Sequence, residues 1–283
     1  VLGQFEYLRP TSLDDAVRVL AEHTGRASIL AGGTDLLVEI RNRVRTPNLL
    51  LDIKEIEALR RFEVPDSGPV VLGAAVPLNP IAENARLRRR LPGLAQAARS
   101  IATYQLRNRA TLVGNLCNAS PAADAAPVLL VLGAVLRVKG PSGERDLPVS
   151  ELFAGVKKTS LAASEIVVEV QIPDPSRLRT AFVKQQRIRG HDLAVVNAAA
   201  AFDPKEGSLR IAIGSCAPTP VLLEPIEAAG DSCEDFVERA IERARSVLHP
   251  IDDVRASAAY RKAVLPALLR RLIADVVDME GGV

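Results

Sequence analysis

Residues 27–52 constrain the fold more than any other stretch. A short apolar run from Ala27 to Ala31 meets Gly32 and Gly33; Leu36, Leu37 and Ile40 then recur at helical spacing, and a second apolar run follows from Asn48 to Asp52. Runs this short read as buried strands, whereas the recurrence after the glycines reads as an amphipathic helix with Thr34 or Asp35 as its N-cap. Strand, glycine turn, helix and strand in that order make a small α/β layer of roughly fifty to sixty residues. Upstream, Leu13, Ala16, Val17 and Leu20 mark another amphipathic helix, with Ser12 three residues before Asp15 in the manner of a capping box.

From Phe62 the texture changes to short β-like pieces and helical stretches at 77–85 and 94–102, so a second unit begins near residue 57. It continues through a helix at 125–132 and a hairpin of 135–139 with 145–149 about Gly140 and Gly143. A strand from Ile166 to Ile172 is ended by Pro173 and Pro175, which places the main boundary at 175. Beyond it, strands at 180–185, 197–202 and 209–215 precede helices at 233–244 and 256–277, the second with Pro266 inside. Strands followed by helices predict an α+β unit with helices on one face of a sheet. The arginine clusters at 41, 43 and 45 and at 86, 88, 89 and 90 suit either a docking face for an acidic partner or, the preferred reading, solvated helix faces.

Composition narrows the function classes. A net charge of +2, with 3% aromatic residues and no Trp, argues against nucleic acid as a partner. Cys117, Cys216 and Cys233 form no CxxC pair, and His23, His191 and His249 have no metal-ligand spacing, so no metal site is expected. The longest apolar runs fall short of a membrane span and no charged region with a long apolar stretch opens the chain, so a cytoplasmic protein is expected.

Two stretches carry the candidate chemistry. One is the glycine turn of AGGTDLL; the other is ATLVGNLCNASPAAD from Ala110 to Asp124, which reads as a binding loop. A glycine turn occurs in many α/β proteins that bind nothing there, and neither stretch matches a Walker loop or GxGxxG. Together they describe two backbone-rich turns able to close on one extended anionic ligand, since N–H groups at glycine turns and helix starts favour phosphate oxygens. Asn115, Asn118, Ser120 and Asp124 add acceptors for sugar hydroxyls.

The order FEYLRPTSLDDAV, AGGTDLL, RNRATLVGNLCNASPAAD, EIVVEVQIP, FVKQQRIRGHDLAVVNAA and RASAAYRKAVLPALL resembles, nearly end to end, the FAD-binding medium subunit of the molybdenum hydroxylases. That family includes carbon monoxide dehydrogenase and xanthine dehydrogenase. The resemblance implies an α+β protein: a two-subdomain FAD-binding fold of the p-cresol methylhydroxylase type over 1–175 (subdomains about 1–56 and 57–175), then a C-terminal α+β domain over 176–283. It places Leu30, Ala31, Gly32, Gly33, Thr34, Asp35 and Leu36 in the first FAD loop and Ala110, Thr111, Gly114, Asn115, Cys117 and Asn118 in the second. Asp124 matches the family's acidic FAD ligand, Val167 an apolar residue near the cofactor and Lys184 a lysine close to the flavin. Val113 stands where a second glycine is usual, and Leu193 where some relatives place a tyrosine against the ring.

The resemblance further implies that no side chain here acts as a catalytic base. Substrate is oxidised at a molybdopterin in a large subunit, and electrons cross [2Fe–2S] clusters of an iron–sulfur small subunit to this chain's FAD and then an external acceptor. A heterotrimer or dimer of heterotrimers is expected. The rival is a self-contained FAD oxidoreductase of the same fold, with His191 as the candidate for covalent flavin attachment.

Overall fold

A computed structural model describes residues 3–188, 190–227 and 232–277. The first unit is a three-stranded parallel sheet of β1 (Glu6–Leu8), β2 (Ala27–Leu30) and β3 (Leu49–Asp52), in the order β1-β3-β2. Helix α1 (Leu13–Glu22) crosses from β1 to β2; Ser12 caps it by accepting from the Asp15 N–H at 3.1 Å, and Ala16, Val17, Val19 and Leu20 are buried. α2 (Leu36–Arg41) crosses from β2 to β3. The central strand is covered on both faces, so its leucines run without polar alternation. Leu49 and Leu51 enter the main core, while Leu50 packs with Leu30 and Ile40 in a small separate cluster. Of the α2 residues expected to face inward, Ile40 is buried but Leu37 is 38% exposed, because a six-residue helix has room for little more than one inward position.

The second unit is a five-stranded antiparallel sheet in the order β4-β5-β10-β6-β7. Its strands are β4 (Phe62–Glu63), β5 (Val70–Gly73), β6 (Val135–Gly140), β7 (Gly143–Pro148) and β10 (Ile166–Ile172); β8 (Phe153–Gly155) and β9 (Lys158–Thr159) form a separate ribbon. The hairpin closes with Gly140 opposite Gly143, as the sequence predicts. Between β5 and β6 lie α3 (Leu78–Glu83), α4 (Ala85–Arg90), α5 (Pro92–Ser100), α6 (Tyr104–Arg107), α7 (Leu112–Cys117) and α8 (Ala125–Val131), with α9 (Val149–Leu152) after β7. Two α4 arginines do more than face water: Arg86 is exposed as expected, whereas the Arg90 side chain is largely covered. Arg86 donates to Val64 O at 2.9 Å, and Arg90 donates to Pro65 O at 2.6 Å and Gly68 O at 2.8 Å, so both fasten the turn before β5.

The third sheet runs β11 (Arg179–Gln185), β12 (Val196–Asp203), β13 (Ser208–Gly214) and β14 (Val221–Leu222), with β15 (Ile226–Glu227) also on β13. Helices α10 (Cys233–Val247) and α11 (Ala258–Val277) cover one face, and α11 continues through Pro266. The other face is not left to water, as a two-layer α+β unit would allow. α5 and α8 of the second unit pack on it. β12 reads VNAAAAFD for that reason: Ala199 and Ala201 belong to the core shared with the second unit, Ala198, Ala200 and Phe202 to the core under α10 and α11. Alternation of period two thus serves two hydrophobic partners. The approach is close: a Cβ on Gly93 of α5 would lie 3.1 Å from the Ala181 nitrogen.

Candidate functional site

The first candidate loop leaves the carboxyl end of β2. Gly33 has φ +74°, a conformation that disfavours side chains and aims the chain into α2. Neither Thr34 nor Asp35 caps α2 with its side chain; Asp35 holds the N-cap position without a side-chain bond. The main-chain N–H groups of residues 33–36 donate to nothing among the described residues. Four orphan donors at a helix start are an anion cradle, provided that they are reachable.

Gly32 shows how the second loop comes into place. A Cβ there would sit 2.3 Å from Arg109 O and 2.8 Å from the Ala110 Cα, so the two loops meet backbone to backbone and only glycine permits it. Ala110 O in turn accepts from the Leu78 N–H at 2.9 Å. What the sequence suggests to be a binding loop is helical in its middle. Thr111 is the N-cap of α7, and its Oγ1 accepts from the Gly114 N–H at 2.9 Å. Gly114 therefore has no free N–H and no left-handed backbone, contrary to a phosphate-donating glycine. The N–H of residue 112 turns toward Val76 O in the antiparallel bridge of Thr111 with Pro77, but that of residue 113 has no acceptor among the described residues. The side chains of Leu112 and Val113 are buried, and unmet main-chain donors near a core call for a partner. Asn115 Oδ1 is likewise buried without a hydrogen bond.

Beyond α7 the polar residues divide. Burial pushes the Cys117 thiol up to about 12, which leaves it protonated and inert. Asn118 Oδ1 accepts from Lys157 Nζ at 2.6 Å, and the same ammonium lies 3.4 Å from Glu39 of α2. Lys157 and Glu39 thus tie the helices behind both loops together. Neither is marked by any local sequence signal.

Asp124 is 4% exposed and its oxygens are engaged inside the protein. Oδ1 accepts from Asn197 Nδ2 at 2.7 Å; Oδ2 accepts from Lys184 Nζ at 2.7 Å and Ser100 Oγ at 3.2 Å. Burial pushes the Asp124 carboxyl up, and the Lys184 charge with the bonds from Lys184, Asn197 and Ser100 opposes it. In this geometry Asp124 joins the second unit to β11 and β12 through its side chain, and it is not open to a ligand. Ser100 and Asn197 belong to this cluster although the candidate residues do not include them; an asparagine opening an all-apolar strand was the signal for Asn197. Val167 is 3% exposed, opposite Val138 in β6, so its side chain serves the core.

Lys184 also lines a cleft of about 510 Å³ between α5, α6, β11 and α11, together with Ala102, Thr103, Gln186 and His191. Arg99, Arg107 and Arg271 bring further positive charge to its wall. Burial lowers the Arg107 pKa, followed by repulsion from Arg99. Ala102 has φ +52°, a strained non-glycine position facing this space. Leu193 is 59% exposed. The cleft has a buried cation on its wall and lies between the third unit and the second, which carries the Thr111 loop.

Comparison with known proteins decides what this frame belongs to. The family model for the FAD binding domain in molybdopterin dehydrogenase matches residues 3–175, and that for the CO dehydrogenase flavoprotein C-terminal domain matches residues 181–276. The chain belongs to the FAD-binding flavoprotein subunits of the molybdenum hydroxylases. It is 30% identical over 284 residues to the xanthine dehydrogenase FAD-binding subunit of Escherichia coli O157:H7, covering 98% of this chain and 97% of that one. It is 33% identical over 282 residues to the caffeine dehydrogenase subunit beta of Pseudomonas sp. (strain CBB1), at 97% and 95% coverage. Carbon monoxide dehydrogenase from Hydrogenophaga pseudoflava superposes with a TM-score of 0.88 at 29% identity, over 98% of both chains. This flavoprotein subunit is accordingly an oxidoreductase component with FAD as its cofactor, in the two-subdomain FAD-binding fold plus an α+β domain. Among the described residues no helix is long and apolar enough to cross a membrane.

Proposed function

We propose that this subunit carries electrons from [2Fe–2S] clusters of a small partner subunit to an external acceptor through its FAD, while a molybdopterin-bearing large subunit oxidises the substrate. The observation that carries this reading is the set of orphan N–H groups at 33–36 and 113, on two loops fixed in contact at Gly32. The cofactor supplies the redox chemistry when bound, and the chain supplies position and charge. Residues 30–36 and 110–115 hold the pyrophosphate, with Thr34, Asp35 and Asn115 contributing side chains. Cys117 and Asn118 back the loop; Asp124 and Val167 act through the framework they brace; Lys184 sets the charge beside the ring. On this reading the chain divides into 1–175, with subdomains about 1–56 and 57–175, and 176–283. The assembly is a heterotrimer or its dimer, in line with relatives named as subunits and medium chains.

Co-purification from the native host tests the assembly. The expected result is recovery of an iron–sulfur and a molybdopterin polypeptide, with the bound flavin bleached by organic substrate only when both are present. Bleaching of the isolated flavoprotein by such a substrate would instead support a self-contained oxidoreductase. His191, on the wall of the Lys184 cleft, is the observation that favours this rival. A yellow pellet after acid precipitation would show covalent attachment there.

A further inference from the structure

β11 ends at Gln185 and β12 begins opposite it at Val196, and the chain between them is held from far along the sequence. Arg261 of α11 is 1% exposed; its Nη1 donates to Val195 O at 2.7 Å and Ser215 O at 2.8 Å, and its Nη2 to Asp253 Oδ1 at 2.7 Å. Arg255 donates through Nη1 to Ala194 O at 3.1 Å and through Nε to Asp253 Oδ2 at 3.0 Å. On the outgoing side, Arg187 donates to Asp192 Oδ1 at 2.8 Å and to Val254 O at 3.4 Å. Gln185 Nε2 donates to the Tyr260 hydroxyl at 3.2 Å.

A buried guanidinium is costly, and an apolar side chain of similar volume would fasten a helix end at least as well. What an apolar side chain cannot do is fix the position of peptide carbonyls. Arg261 and Arg255 hold two consecutive ones, at 194 and 195, and Asp253 locks both guanidiniums in orientation. Ser215, whose carbonyl Arg261 also takes, has φ +65° and donates from Oγ to Ala194 O at 3.3 Å, so the restraint reaches the end of β13. The restrained carbonyls begin three positions after His191 and directly follow Asp192 and Leu193.

We propose that Arg255, Asp253 and Arg261 are positioning residues that fix residues 192–195, and through them the Gln186 and His191 wall of the Lys184 cleft, against the flavin ring. This rests on the reading that the ring occupies that cleft. The segment's function is then to keep the ring's exposed edge constant while acceptors come and go, and its disturbance should appear in cofactor retention before it appears in folding.

The chain has no Trp, so Leu193→Trp provides a single indole reporter in the full-length protein. FAD binding to this variant is expected to quench the indole emission. Adding Arg255→Gln should relieve the quenching and raise the FAD dissociation rate about tenfold, the scale set by losing one charge-assisted hydrogen bond. Arg255→Lys should restore part of the parent rate. Arg270→Gln, which breaks the exposed Arg270–Glu234 pair between α11 and α10, should change neither readout. If Arg255→Gln lowers the unfolding temperature yet leaves quenching and dissociation at parent values, the three residues are a fastening only and the proposal fails alone. If FAD binds Leu193→Trp without quenching, the ring is not in this cleft, and both the placement and the clamp are overturned.

Discussion

The loops at 31–36 and 110–115 and the junction at Asp124 are both polar, yet they are assembled on opposite plans. In the loops the polar groups are main-chain N–H donors left without acceptors and brought together by Gly32, which tolerates Arg109 O where a Cβ would stand. At the junction the groups are side chains from α5, α8, β11 and β12, closed on one another with no more than 6% exposure for the Lys184–Asp124 pair. A site kept open for a ligand leaves donors unmatched. A site that joins subdomains matches them, because an unpartnered charge inside a protein is costly. Family likeness assigns cofactor contacts to both regions, and the geometry separates them.

The largest expected effect that can break this contrast comes from Lys184→Met. Removing one partner of a buried pair costs about 3–5 kcal/mol in stability, where an open cofactor contact would cost little. With Lys184 gone, burial raises the Asp124 pKa further above its unfolded value. The carboxyl is then neutral in the fold at low pH and must be ionised at a cost above the raised pKa. The stability deficit should therefore be smallest near pH 4 and grow as pH rises through the folded value, which urea unfolding at several pH values measures. A pH-independent, sub-kcal/mol effect would place Lys184 with the open loops instead.

Gly32→Ala examines the other side. The added Cβ must push Arg109 away, and losing even two charge-assisted bonds at about 1.5–3 kcal/mol each weakens FAD by roughly a hundredfold or more. Calorimetric titration of the folded variant checks it, and parent-like affinity would mean that the loops do not grip the cofactor jointly. Thr111→Val should cost about 1 kcal/mol of stability as a lost N-cap, measured by thermal unfolding, with FAD affinity changed less than by Gly32→Ala. The smallest expected effect is at Cys117: its thiol, raised to about 12, should resist iodoacetamide at pH 8 in the folded protein, as peptide mass analysis would show.

Acid tests the C-terminal clamp by the same logic with the opposite sign. Burial pushes Asp253 up, but the Arg255 hydrogen bonds and charge outweigh it and hold the carboxyl well below its usual range. A depressed folded pKa gives stability that is present above the unfolded value near 4 and is lost as pH falls toward the folded one. Asp253→Asn should flatten that acid branch of the unfolding curve.

Much of this was legible beforehand because it is local. The strands at 27–30 and 49–52, the Ser12 cap, the hairpin at Gly140 and Gly143 and the positive φ of Gly33 follow from residue type and short spacing. The helix at 112–117 was hidden by its polar content, although Thr111 followed by Leu112, Val113 and Leu116 is a cap with an inward face. Residue types alone assign Gly114 to a ligand because they do not reveal that Thr111 has already taken its N–H. The Asp124 cluster spans nearly a hundred positions, and no window of sequence brings Ser100, Lys184 and Asn197 together.

The alanines of β12 have a consequence for how the molecule comes apart. Ala199 and Ala201 belong to one hydrophobic core, and Ala198 and Ala200, on the opposite face, to the other. The strand cannot be withdrawn from either side without exposing both. The C-terminal sheet is therefore expected to melt together with the second unit in a single calorimetric transition, and a protease nicking the chain near residue 175 to release no folded fragment. One small-residue strand shared by two neighbours is what would couple them.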